Sequence, residues 1–218
     1  MGFALTASDY AQWIARAYQK IHENGDYITS LDAATGDGDH WINLNMGFEK
    51  LVSIKDALAS KSLFEAFKSI SMTMMSVIGG SGGVLYGSAY MEAAKAVKDL
   101  EVLDSAALCN VLAAMLDGIM KRGKSQPGMK TMIDALNPAV ECYKDCIARG
   151  ESEAQTLKLV KKAAEEGALS TKDMEAVRGR AYYQADRGVG HLDPGAITMF
   201  YQIETLMDYI ADKMQDEA

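Results

Sequence analysis

The chain has 218 residues, 49% of them hydrophobic, which is enough to bury one sizeable core. It carries 22 basic against 30 acidic residues, a net charge of −8, and this argues against a nucleic-acid partner, which needs a basic face. No apolar stretch approaches the roughly 20 residues that span a bilayer, and the N-terminus lacks a basic segment followed by an apolar one, so no membrane partner and no signal peptide are expected. Helical periodicity dominates the chain. Residues 6–24 place Tyr10, Ile14, Ala17 and Ile21 on one stripe, with Thr6 and Asp9 spaced as a capping box. A less periodic helix is expected at 42–55. Residues 62–78 open with Ser62 and Glu65, again a capping-box spacing, and carry the stripe Leu63, Phe67, Ile70, Met74 and Val77. A further helix fits 84–99, and 104–122 shows Leu108, Val111, Leu112, Met115 and Ile119. The helix expected at 131–148 contains Pro138, which would kink it unless it begins nearby. Residues 151–170 open with Ser152 and Gln155. Residues 193–214 open with Asp193 as N-cap and Pro194 at the first helical position, followed by Ala196, Met199, Phe200, Ile203, Leu206, Met207 and Ile210.

This pattern gives eight helices and no strand, and no repeat, linker or low-complexity stretch divides residues 1–218. The expected architecture is all-α, a single domain built as an antiparallel up-down bundle. Cys109, Cys142 and Cys146 fall on helices and are odd in number, which suggests reduced thiols in a cytoplasmic protein, with Cys142 and Cys146 packing on a helix face. The gaps at 25–40, 79–83, 123–130 and 172–192 hold the unusual residues. They come after the first, third, fifth and seventh helices, and in an up-down bundle alternate connections share one end.

Each gap carries its own chemistry. The run Leu31-Asp-Ala-Ala-Thr-Gly-Asp-Gly-Asp-His40 crowds the carboxylates of Asp32, Asp37 and Asp39. Like charges this close repel unless a cation sits among them, and hard dications such as Mg²⁺ prefer oxygen ligands. It is not an EF-hand loop, because the sixth position from Asp32 is Asp37 and the twelfth is Asn43; a solvated Asp/Gly turn is the plain alternative. His40 and Asn43 stand where a helix N-terminus can face an anion. In Gly79-Gly80-Ser81-Gly82-Gly83 the glycines let backbone N–H groups approach a phosphate, or simply make a flexible turn. The segment from Arg122 and Gly123 to Thr131 and Met132 gathers cations around Pro127 and Gly128. The last gap holds Arg178, Arg180 and Arg187 beside Asp186, His191 and Asp193, and guanidinium groups match phosphate bidentately. Together these point to a Mg-nucleotide site at one end of a bundle.

In their order and combination, Asp32-x4-Asp37-Gly-Asp39-His40-x2-Asn43, Gly79-Gly80-x2-Gly83, Arg122-Gly123-Lys124 with Pro127-Gly128 and Lys130-Thr131-Met132, and Gly179-Arg180-Ala181 with Gly190-His191-x-Asp193-Pro194-Gly195-Ala196 resemble the nucleotide-binding L subunit of dihydroxyacetone kinase almost from end to end. The resemblance implies an eight-helix antiparallel barrel with ADP or ATP at one end. It implies two Mg²⁺ ions held by Asp32, Asp37 and Asp39, and nucleotide contacts from His40, Asn43, Gly80, Ser81, Gly82, Gly123, Met132, Arg180, Asp193, Pro194 and Gly195. It gives Arg180 and the three aspartates the catalytic roles. Four positions depart from the family pattern: Trp41 for a glycine, Gly82 for a serine, Met129 for an acidic residue and Gly188 for a serine. An indole at Trp41 is expected to cover the nucleotide or narrow the entrance.

The implied function is phosphoryl transfer from a Mg-nucleotide to the hydroxyl of a small ketose such as dihydroxyacetone, held on a separate sugar-binding K subunit. The phosphate donor is either ATP by exchange or a phosphohistidine phosphotransferase subunit that recharges ADP in place. A homodimer is an open option. The alternative is a catalytically weak nucleotide-binding paralogue that serves as a regulatory or interaction module.

Overall fold

Helix α1 (Ala7–Glu23) begins where Thr6 and Asp9 cap each other: the Thr6 hydroxyl accepts from Asp9 N, and the Asp9 carboxylate accepts from Thr6 N. The computed structural model describes residues 2–216. After α1 come α2 (Gly25–Thr35), α3 (His40–Ser53), the short α4 (Lys55–Ala59), α5 (Leu63–Val77), α6 (Gly80–Ala96), α7 (Ser105–Gly123), α8 (Ile133–Arg149), α9 (Glu153–Ser170) and α10 (Pro194–Asp216). Single 3-10 turns lie at Thr171–Asp173 and Ala181–Tyr183. Among the described residues there is no strand; Leu5 and Leu103 form an isolated antiparallel bridge. The expected caps are in place, with Ser62, Ser152 and Asp193 side chains accepting from the amides of Glu65, Gln155 and Ala196.

Consecutive helices pack as neighbours, α5 on α6, α6 on α7, α8 on α9 and α9 on α10, and α10 returns to α1. The α1–α10 seam carries polar clasps at intervals: Trp13 Nε1 donates to Thr205, the Tyr209 hydroxyl donates to Asp9, and Arg16 and Lys20 pair with Asp212 and Glu204. Inside lie the fully buried rings of Tyr10, Phe48, Phe67, Tyr86, Tyr90 and Tyr143. Their hydroxyls stay partnered, Tyr10 with Tyr90, Tyr86 with Gln202 and Tyr143 with Ser105, as buried polar atoms must be.

Three expectations need correction. The gap at 25–40 is not all loop, because α2 occupies most of it. Its buried positions, Gly25, Ile28, Asp32 and Thr35, have helical spacing but include one large apolar side chain, so hydrophobic periodicity is blind to it. A short extra helix, α4, comes after α3, and the simple count of eight becomes ten α-helices among the described residues. The glycine run is likewise not a loop before a helix: α6 starts at Gly80, so Gly80 to Gly83 form its first turn. Pro138 sits inside α8 and removes the amide that would pair with the Asp134 carbonyl. Helix α9 crosses there through Gly167, where an added Cβ would collide with the Asp134 carbonyl oxygen and lie 2.5 Å from Pro138 Cγ. The proline is thus absorbed into a close helix crossing.

Candidate functional site

The last turn of α2, the α2–α3 connection and the start of α3 bring Asp32, Asp37 and Asp39 together, with ligand oxygens all within 4.8 Å of one another. Asp32 is buried, its Oδ2 accepting the His40 amide at 2.8 Å. Gly36 leaves room for it, since a Cβ there would lie 2.6 Å from Asp32 Oδ1. Asp37 and Asp39 are exposed. One cation answers them: Arg180 Nη2 lies 2.6 Å from Asp37 Oδ2. The donor set is all oxygen, which fits a hard dication.

Beside the carboxylates is a cleft lined by Asp39, His40 and Asn43 from the start of α3, by Gly79 to Gly82 from the start of α6, and by Tyr86 and Arg180. Two helix N-termini therefore open onto one space. Neither Asp39 nor Gly79 caps its helix through a side chain, so the first-turn amides of α6 are open to an anion. His40 is held from the other side, its Nε2 2.9 Å from Thr198 Oγ1. Burial pulls the His40 pKa below its ordinary value, against the attraction of Asp32 and Asp39. Burial also pushes the Tyr86 hydroxyl up to about 12, against the hydrogen bond from Gln202, so it stays protonated.

The remaining expected residues do not line that cleft. Gly195 faces Met132, a Cβ there lying 3.7 Å from Met132 N. Asp193 caps α10, with Pro194 in its first turn. Burial pushes the Asp193 carboxyl up to about 7, against the hydrogen bond from Ala196 and the charge of Lys130. Gly123 ends α7 next to Leu85 of α6. The four gaps meet through the last of them: Arg180 lies on Asp37 and lines the cleft with Gly79 to Gly82, Gln184 donates to the Ala34 carbonyl, Val177 to the Met129 carbonyl, and Arg178 to the Lys124 carbonyl.

Trp41 does not cover the cleft. Its indole Nε1 donates to the Ile21 carbonyl at the end of α1 and its ring lies on Gly25, where a Cβ would sit 2.7 Å away. A tryptophan at this position closes the α1–α2 corner. Sequence reasoning passed over Thr198 and Tyr86, and it read Lys130 only as one of the cations of a loop. Lys130 is buried with φ 58° and donates from Nζ to the Thr171 and His191 carbonyls. The Thr131-x-x-Asp134 spacing was a usable signal there: Asp134 accepts from Thr131 N and Gly128 N and folds the turn that carries Lys130.

An all-helical domain that brings three carboxylates and two helix N-termini to one cleft offers oxygen donors for a dication and open amides for an anion. Comparison with known proteins makes this specific. The DAK2 domain family matches residues 34–208. The PEP-dependent dihydroxyacetone kinase ADP-binding subunit DhaL of Escherichia coli K12 is 34% identical over 93% of this chain and 97% of its own. The corresponding subunit 1 of Listeria innocua is 40% identical over 85% and 87%, and the PTS-dependent kinase subunit of Lactococcus lactis 36% over 95% and 100%. The chain belongs to this family, the DhaL-type ADP-binding subunits of dihydroxyacetone kinase. The fold also matches the dihydroxyacetone kinase of C. freundii solved with AMP-PNP and Mg²⁺, with a TM-score of 0.70 at 24% identity, over 91% of this chain and 33% of that one. The chain thus spans about a third of that larger kinase.

Proposed function

We propose that this chain is the nucleotide-carrying subunit of a dihydroxyacetone-type kinase and donates a phosphoryl group to a small ketose held on a separate K subunit. The supporting observation is that Asp32, Asp37 and Asp39, Arg180 and the open first turn of α6 meet at one end of the bundle. Asp32, Asp37 and Asp39 would hold two Mg²⁺ ions, which supply charge neutralisation for phosphate oxygens. The amides of Gly80, Ser81 and Gly82 receive phosphate oxygens at the positive end of α6. Arg180, exposed and now paired with Asp37, is free to swing its guanidinium onto the transferring phosphoryl group, where it spreads the developing charge. His40, kept neutral by burial and fixed by Thr198, together with Asn43 lines the phosphate side. Gly123, Met132, Asp193, Pro194 and Gly195 form the wall for the rest of the nucleotide. Names of the relatives, PEP-dependent and PTS-dependent, favour recharging of bound ADP by a phosphohistidine phosphotransferase subunit over exchange with ATP.

Calorimetry with ADP, with and without Mg²⁺, tests the binding step. Mg-ADP at a hundred times its Kd should add about 2.7 kcal/mol of stability, a rise of roughly 5–10 °C in Tm for a domain of this size. Asp37→Asn should abolish most of this while leaving the helical signal intact. Binding of ADP that ignores both Mg²⁺ and Asp37 would remove the metal assignment. Failure of the chain to yield sugar phosphate with a K subunit, dihydroxyacetone and either donor would favour the regulatory module.

A further inference from the structure

Residues 172–192 carry Arg180 to the cleft, yet little in their own sequence anchors them. Within this stretch only Ala176 and Gly188 are buried, so apolar burial contributes little to its order. A buried cation closes it instead. Lys130 is 2% exposed, and its Nζ donates to the carbonyls of Thr171 and His191, at the two ends of the loop. Gly190 N to the Lys172 carbonyl and Asp193 N to Thr171 Oγ1 complete the neck. Burial pulls the Lys130 pKa down and the facing Asp193, Asp173, Asp186 and Asp134 pull it back up. Its backbone is left-handed, φ 58°, a conformation that a residue with a Cβ keeps only where its surroundings impose it. The loop then lies directly on the lysine stem: Gly188, also left-handed at φ 72°, would place a Cβ 3.2 Å from Lys130 Cε. From this neck the chain runs to Arg180 on Asp37 and Gln184 on the Ala34 carbonyl.

We propose that Lys130 is a positioning residue for the site: its ammonium clasps the neck of the 172–192 loop and thereby sets Arg180 over the carboxylate cluster. An ammonium offers donors only, which is what two converging carbonyls require. An apolar replacement would strip the His191 carbonyl of its donor and leave the buried Thr171 carbonyl with the Met174 amide alone, and the lost bonds would open the neck. The effect on nucleotide rests on the function proposed above; the clasp does not.

The test compares the full chain with Lys130→Met. Limited trypsin digestion, read by mass spectrometry, reports cutting after the exposed Arg178, Arg180 and Arg187. That cutting should rise roughly tenfold, because proteolysis follows the open population, while thermal melting stays cooperative. In calorimetry, Lys130→Met should weaken Mg-ADP binding about tenfold in the native background and less than about twofold in Arg180→Ala, the non-additivity expected of residues acting through one another. Unchanged loop cleavage, or an equal loss of affinity in both backgrounds, would overturn the proposal. If Lys130→Met does not fold, Gly188→Ala presses on the same stem and on Ala181 Cβ at 3.1 Å, with the same results expected and the same results fatal. A native chain that binds no Mg-ADP would sink the functional reading, and the trypsin result would still decide the clasp.

Discussion

Removing one charge from the carboxylate cluster should make the ligand-free protein more stable and the Mg-ADP complex weaker. Asp39→Asn is the cleanest perturbation, because Asp39 is exposed, makes no side-chain cap, and asparagine caps helices as well as aspartate. Its carboxylate lies within 4.8 Å of those of Asp32 and Asp37. At that separation each pair of like charges repels by about 0.9 kcal/mol with full water screening and about 3.5 kcal/mol at an effective dielectric of 20. Against this stands the favourable effect of a negative charge at the start of α3, roughly 0.3–1 kcal/mol. Arg180 already offsets Asp37, so the buried Asp32 supplies most of the repulsion. The net expectation at low salt is a stabilisation of about 1 kcal/mol, or a Tm increase of roughly 2–4 °C. Adding salt should shrink that increase by screening. The assay is thermal unfolding followed by circular dichroism, with no ligand, with Mg²⁺, and with Mg-ADP. A ligand-free Tm that falls, together with an undiminished Mg-ADP shift, would refute the reasoning that these acids are crowded for the sake of a dication.

Other expectations rest on the same geometry. Asp9→Ala removes the return bond of the first capping box and the Tyr209 contact and should cost about 2 kcal/mol in chemical denaturation. Burial pushes the Asp9 carboxyl up, but the Thr6 and Lys213 bonds outweigh it and hold its pKa below the ordinary value. Its contribution should therefore be complete at neutral pH and fade as pH falls below about 4, so the gap between variant and native chain should narrow in acid. Asp193 has the opposite sign: with its folded pKa raised to about 7, the native state keeps a proton that the unfolded chain has lost. The native chain should lose stability relative to Asp193→Asn as pH rises from about 4 to 7, with no further change above that, measured by melting across the range. Trp41→Phe should lower Tm through loss of the bond to the Ile21 carbonyl and leave the release rate of labelled ADP unchanged in stopped flow; faster release would restore the covering role expected from sequence.

Much of the fold was legible because most long helices bury continuous apolar stripes with capped starts. Tyr10, Ile14, Ala17 and Ile21 in α1, and Ile203, Leu206, Met207 and Ile210 in α10, are all buried as their spacing requires. The carboxylate cluster was legible too, since Asp37 and Asp39 flank a single glycine and Asp32 lies one helical turn and a corner away. Helix α2 was not, because Asp32 and Thr35 take inward positions that a hydrophobic pattern reserves for leucine. Lys130 was hidden for the same reason: a lysine in a Gly/Pro turn reads as solvated, and only the approach of residues 171 and 191, distant in sequence, puts it inside. Trp41 misled because its position next to the acids says nothing of the direction of its ring, which Gly25 decides by offering a flat seat.

The sparse docking of α2 has a dynamic consequence. With Ile28 its one fully buried large apolar side chain and Leu31 only partly buried, this segment should lie near the low end of the molecule's local opening energies, where exchange reports partial rather than global unfolding. Its amides should trade hydrogen for deuterium quickly in the empty protein and slow sharply once Asp32 gains a bound counterion, while α7 and α8 keep their pace. Such a helix would serve as an internal gauge of occupancy, stiffening the rim of the bundle only when the site is filled.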